Sequence, residues 1–148
     1  MAAEKQDLTI KITNEYAGII SDLAFKVYNK RKKDALMYQL YNNIQLALKV
    51  DKFQIMKISG PYLMTYQEQL SNRDFSFFEK VDYKKQYKNE MKNYGAEIVD
   101  KIREIYSTLT QTERETMMDL VRKLLLKYID YLELEVDNLS ANLGQLKV

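Results

Sequence analysis

Residues that turn a chain are scarce here, and that scarcity limits the architecture more than any other feature. One proline and four glycines are spread over 148 residues, whereas an all-β domain needs a turn signal roughly every 8–12 residues. Apolar residues, 46% of the chain, recur instead at three- and four-residue intervals, the spacing that lines one face of an α-helix. A chain of this size can bury a core without disulfides or metals. The expected fold is all-α, a bundle of about five helices with two long antiparallel C-terminal helices, the last extended as a coiled coil. The bundle domain is expected over residues 1–135 and a helical extension or tail over 136–148.

The helices can be placed from their caps and stripes. Thr13 or Asn14 caps a first helix with Tyr16, Ile20, Leu23 and Val27 inward, ending near "YNKRKK". Asp34 caps a second, whose inner face is Met37, Leu40, Ile44 and Ala47 or Leu48, stopping near Val50. "VDKFQIMKISGP" loses the periodicity and suggests a short extended piece. Ser59 or Gly60 then caps a third helix with Pro61 at its first position, where the missing N–H costs nothing, and with Tyr62, Leu63, Tyr66 and Leu70 on its face. Asp74 caps a single turn carrying Phe75, Phe77 and Phe78. A long helix follows with Met91, Tyr94, Ile98, Ile102, Ile105 and Leu109 inward. Thr110 and Glu113 form a capping box that starts the last helix at Gln111, with Met117, Val121, Leu124, Leu125 and Tyr128 toward the bundle.

Three absences narrow the chemistry: no cysteine, no histidine and no tryptophan. Without cysteine there are no disulfides, thiolate nucleophiles, iron–sulfur clusters or thiolate zinc sites. Histidine is the commonest general base and transition-metal ligand, so its loss lowers the expectation of catalysis sharply. Glu97, Asp100 and Glu104 share one helical face at spacings that suit a divalent cation, yet Lys101 and Arg103 beside them read more simply as a solvated, salt-bridged surface. No phosphate-binding glycine loop, calcium loop or nucleophile elbow is present. The expectation is a non-enzymatic protein with no cofactor, no metal, no small-molecule substrate and no membrane span, working inside the cell.

Leucine recurs every seventh residue near the C-terminus, at Leu125, Leu132, Leu139 and Leu146, with Ile129, Val136 and Leu143 at the alternate seam positions. β-branched residues at a with leucine at d suit a two-stranded parallel coiled coil. Arg122 breaks the seam upstream, while Asn138, Ser140, Asn142 and Gly144 are poor helix formers. Three outcomes stand: association with a protein partner or a second copy through these seven residues, docking on the chain's own helices, or a frayed tail. Association is the leading reading, because each large apolar side chain left in water forfeits roughly 1.5–3 kcal/mol of burial.

The rival reading is single-stranded RNA binding. Lys30, Arg31, Lys32 and Lys33 form one basic run, and Lys84, Lys85 and Lys88 with Tyr83 and Tyr87 form another, a mix that neutralises phosphates and stacks on unpaired bases. Net charge is only +2, and Asp34, Asp82 and Glu90 dilute both runs. Twelve tyrosines point to half-buried, core-edge aromatic packing, and "FSFF" reads as a plug between helices.

"PYLMTYQEQLSNRDFSFFEKVDY", from Pro61 to Tyr83, resembles a stretch of small, functionally uncharacterised helical proteins of large nucleocytoplasmic DNA viruses. The positions that carry the likeness are Pro61, Tyr62, Tyr66, Leu70, Arg73, Asp74, Phe77, Phe78, Asp82 and Tyr83. "IVDKIREIYSTLTQTERETMMDLVRKLL" is similar to that family's pair of helices joined by a capped turn, with tyrosine or methionine where a tryptophan is expected. The resemblance implies a viral origin and a setting in infected-cell cytoplasm or a virion. It supplies no activity and no catalytic residues.

Overall fold

The computed structural model describes the backbone of residues 2–76 and 94–146, and the side chains of residues 3–76 and 101–137. Among these residues there are six helices and no strand: α1 (Ala2–Lys30), α2 (Ala35–Val50), α3 (Lys52–Thr65), α4 (Gln67–Ser71), α5 (Tyr94–Thr108) and α6 (Gln111–Leu146). The protein is an all-α bundle. Its spine is α1 against α6, of 29 and 36 residues, or about 43 and 54 Å at the α-helical rise. Lys30 pairs with Glu113 at one end and Glu15 with Lys127 farther along, so the two helices run antiparallel.

Two apolar clusters hold the bundle. Ile12 and Tyr16 of α1, Met56 of α3, and Leu124, Tyr128 and Tyr131 of α6 make the first. Leu70, Tyr106, Leu109, Met118 and Leu125 make the second around the α5–α6 turn. There the chain reverses at Leu109 and Thr110: Thr110 N–H donates to Glu113 Oε1 at 3.1 Å, and Glu113 N–H to Thr110 Oγ1 at 3.2 Å, the expected capping box. Arg114 crosses back to donate to the carbonyls of Tyr106 and Ser107 at 3.0 and 2.8 Å, which satisfies acceptors that a helix end leaves open. Ile105 and Leu109 are buried as their stripe requires, and Ile102 is half-buried. Met91, Phe77 and Phe78, and the side chains of Tyr94 and Ile98, lie outside the described residues.

Several boundaries differ from expectation. Helix α1 begins at Ala2, about three turns before Thr13. Thr13 is buried mid-helix, and the hydroxyls of Thr9 and Thr13 donate to the carbonyls four residues back, at 2.9 and 2.7 Å. That is the bond a threonine makes inside a helix when it does not cap one. Asp34 caps α2 as expected, its Oδ1 accepting from Leu36 and Met37 N–H at 2.9 and 3.2 Å. The expected extended piece is helical: Asp51 caps α3 by accepting from Gln54 N–H at 3.0 Å.

Pro61 is therefore an interior residue of α3, and neither Ser59 nor Gly60 is a cap. Ser59 Oγ donates to the Ile55 carbonyl at 2.7 Å and shares a 2.6 Å hydrogen bond with the Tyr16 hydroxyl. Gly60 is buried with the Tyr128 ring where a side chain would stand. It marks the crossing of α3 and α6.

The third helix also ends sooner than its apolar face suggests, at Thr65, with α4 following after Tyr66. Helix α4 closes through a Schellman motif. Arg73 takes the left-handed conformation (φ 57°), its N–H donates to the Leu70 carbonyl at 3.2 Å, and Asp74 N–H donates to the Gln69 carbonyl at 2.8 Å. Glycine usually fills that position; here Arg73 ties the motif to α6 through Asp119 at 3.1 Å. Asp74 accepts from the Ser76 hydroxyl at 2.7 Å, and Phe75 packs on the second cluster.

Among the described tyrosines, Tyr28, Tyr41 and Tyr66 are half-buried at the core edge as expected, while Tyr16, Tyr106, Tyr128 and Tyr131 are buried in the core itself. Burial pushes the Tyr16 phenol up to about 12, against the opposing pull of its Ser59 hydrogen bond. A raised folded pKa means stability that is whole below the unfolded value, about 10, and lost as pH rises through the folded one. Urea unfolding between pH 10 and 12 is expected to show this loss, and Tyr16→Phe to remove Tyr16's share. A gap of 2 units, 12 minus 10, corresponds to on the order of 2–3 kcal/mol at full ionisation. Identical pH slopes for both proteins would contradict it.

Candidate functional site

Three surfaces require placing: the heptad stripe, the basic runs and the inner face of α2. The stripe divides. Leu125 is 0% exposed in the second cluster. Ile129 packs against that cluster and Leu132 against the first. The upper part of the stripe is thus spent within the chain, as its docking alternative has it. Val136, one heptad on from Ile129, is 61% exposed. The backbone stays helical past Glu135 to Leu146, carrying positions 139, 143 and 146 onward in the same register; their side chains lie outside the described residues. On the antiparallel α1, Ile12 shares the first cluster with Tyr131, and the first turns of the helix leave Leu8 and Ile10 half-exposed.

The basic runs give less. Lys30 is engaged by Glu113, and this contact, with the Thr110 N–H, holds the Glu113 carboxyl below its usual range. Arg31 donates to the Lys30 carbonyl at 3.0 Å. Asp34 pairs with Lys101 at 3.1 Å, and that lysine, with the Met37 N–H, lowers the Asp34 carboxyl. Lys32 and Lys33 are exposed on the turn between α1 and α2. Lys84, Lys85 and Lys88 lie outside the described residues, as do the side chains of Glu97 and Asp100. Among the described residues no group of three or more acidic side chains comes together, and no helix is long and apolar enough to cross a membrane.

Sequence reasoning missed a cavity. Helix α2 is fastened to α1 along one edge: Tyr28 stacks on Tyr41 with ring centroids 4.9 Å apart, Phe25 meets Tyr41 edge-on at 6.3 Å, and Gln45 Nε2 donates to Ser21 Oγ at 2.9 Å. None of its residues joins either core cluster. Its inner face, Met37, Leu40 and Ile44, instead borders a cavity of about 360 Å³ that α1, α3, α4, α5 and α6 also line. Met37, Leu70, Tyr106 and Met118 form its buried floor, and Tyr62, 52% exposed, stands at its mouth. Among the described residues no charged side chain lines it.

The size matters because protein interiors hold few voids larger than a water molecule. This one is open to solvent on the side of Tyr62, so it is an apolar cleft between helices and not a sealed void. No local pattern could have exposed this feature, since each lining stripe reads as an ordinary core face.

Comparison with protein-family models, with curated proteins and with solved structures gave no match. A functional reading therefore stands on the geometry of the chain.

Proposed function

We propose that this chain is a non-enzymatic interaction module that associates with another amphipathic helix through the distal part of α6. The observation that carries this reading is the passage of the heptad stripe out of the core: Leu132 packs inside, Val136 is exposed, and the helix continues to Leu146. A helical segment shorter than about 12 residues needs a packed apolar face to be stable in water. An added helix supplies the missing burial, and Val136, Leu139, Leu143 and Leu146 alternate as a parallel dimer seam requires. A second copy of the chain offers the same stripe and is the simplest partner.

Sedimentation of the full chain beside a chain ending at Glu135 tests it. The full chain is expected at a multiple of 17.6 kDa, and the shortened one as a folded monomer with undiminished helicity per residue. Monomers in both cases would remove the self-association reading.

A further inference from the structure

The cavity beneath α2 has properties unlike those of a helix-docking groove. Its volume of about 360 Å³ is smaller than one turn of α-helix, a cylinder about 10 Å wide and 5.4 Å tall that occupies roughly 420 Å³. It admits side chains from a partner's helix but not the helix itself. An apolar cavity of about 150 Å³ stays dry and accepts benzene, so this one has room for rather more than two such rings. Its lining among the described residues is aliphatic, thioether and aromatic, and with no charged group there a permanent ion inside would be left unpaired at heavy cost.

From volume, lining and mouth together, we infer that the cavity is a binding site for an uncharged, apolar small molecule of about two aromatic rings. Met37, Met117 and Met118 offer deformable thioether contacts to such a ligand, and Tyr62 gives it an entrance. Volumes of this size fall in the range of ordinary ligand pockets, roughly 300–1,000 Å³. The site is distinct from the described part of the α6 stripe: Leu125, Ile129, Leu132 and Val136 do not line it. The sequence reading anticipated no small molecule at all.

The probe is 1-naphthylamine, an uncharged two-ring fluorophore at neutral pH, titrated into the full chain. Saturable one-to-one binding is expected. In the protein labelled with ¹³C at its methionine methyls, the signals of Met37, Met117 and Met118 should shift with the same saturation curve, and those of Met56 and Met64, outside the lining, should not. Ala24→Phe places a ring in the cavity and is expected to weaken binding at least tenfold, whereas Leu46→Phe, on the exposed side of α2, leaves it unchanged. Absence of saturable binding, as when the chain's own side chains already fill the space, overturns the proposal. So does a saturable shift confined to methyls outside the lining. Should Ala24→Phe fail to fold, the methyl shifts of the unmodified chain decide the matter alone.

Discussion

Gly60→Ala is expected to lower the melting temperature by about 5–10 °C, although alanine is the better helix former. A Cβ at this position would lie 2.2, 2.3 and 2.5 Å from three ring atoms of Tyr128. Those atoms are in the body of the ring and not at a flexible tip. Tyr128 is itself buried, beside Tyr131 at a centroid distance of 6.1 Å and within the cluster that joins α1, α3 and α6. The ring cannot swing aside without unpacking its neighbours. Overpacking of this kind costs about 1–3 kcal/mol and sometimes more, against a gain of about 1 kcal/mol in helix propensity. Because contact is this close, the upper end applies, and a net loss of about 2–3 kcal/mol moves the midpoint by about 2–4 °C per kcal/mol in a chain of this length. Gly18→Ala is the internal reference. Nothing lies within 4 Å of its added Cβ, so propensity acts alone and the midpoint should rise by about 2–4 °C. Thermal melts followed by circular dichroism compare the two directly. A rise in both would mean that α3 does not cross α6 at Gly60.

The same glycine shows where a sequence misleads. "SGP" looks like a helix start because Pro after a small residue suits the first turn, but here the small residue serves a crossing some 68 positions away in the chain, from Gly60 to Tyr128. Local devices were legible: Asp34 and the Thr110–Glu113 box each act within three residues. Helix α3 escaped notice because apolar residues stand on its open side as well as on its packed one. Met56 is buried against α1 and α6, whereas Ile58 and Tyr62 are about half exposed, so the periodicity fades. Asp51 followed by Gln54, a cap spacing, was the signal available to find it. The cavity had no such signal, because it depends on how far apart several inward faces come to rest. The stripe on α6 was legible as a pattern, but its division into packed residues, Leu125 and Leu132, and an exposed one, Val136, is visible only in the packing.

That division yields the other large effect. Leu125→Ala and Val136→Asp alter two residues of one heptad stripe, and they should act on different equilibria. Leu125 is fully enclosed between α6 and the helices of the second cluster, so truncation loses buried surface and leaves a hole. Leucine-to-alanine changes in cores cost about 2–5 kcal/mol; at this degree of enclosure about 3–4 kcal/mol is expected, a fall of about 10 °C. The fall should be the same at every protein concentration, since the contact is made within one chain. Val136 is exposed, and an aspartate there costs the folded monomer nothing measurable, whereas in a seam between two chains it puts unpaired charge into an apolar layer. An associating protein melts at a temperature that rises with its concentration. Val136→Asp is therefore expected to abolish that concentration dependence and return the sedimenting mass to the monomer, leaving the dilute-limit midpoint in place. If instead Leu125→Ala removes the concentration dependence and Val136→Asp does not, the stripe is used in the opposite sense, with its buried half open to a partner and its distal half merely solvated.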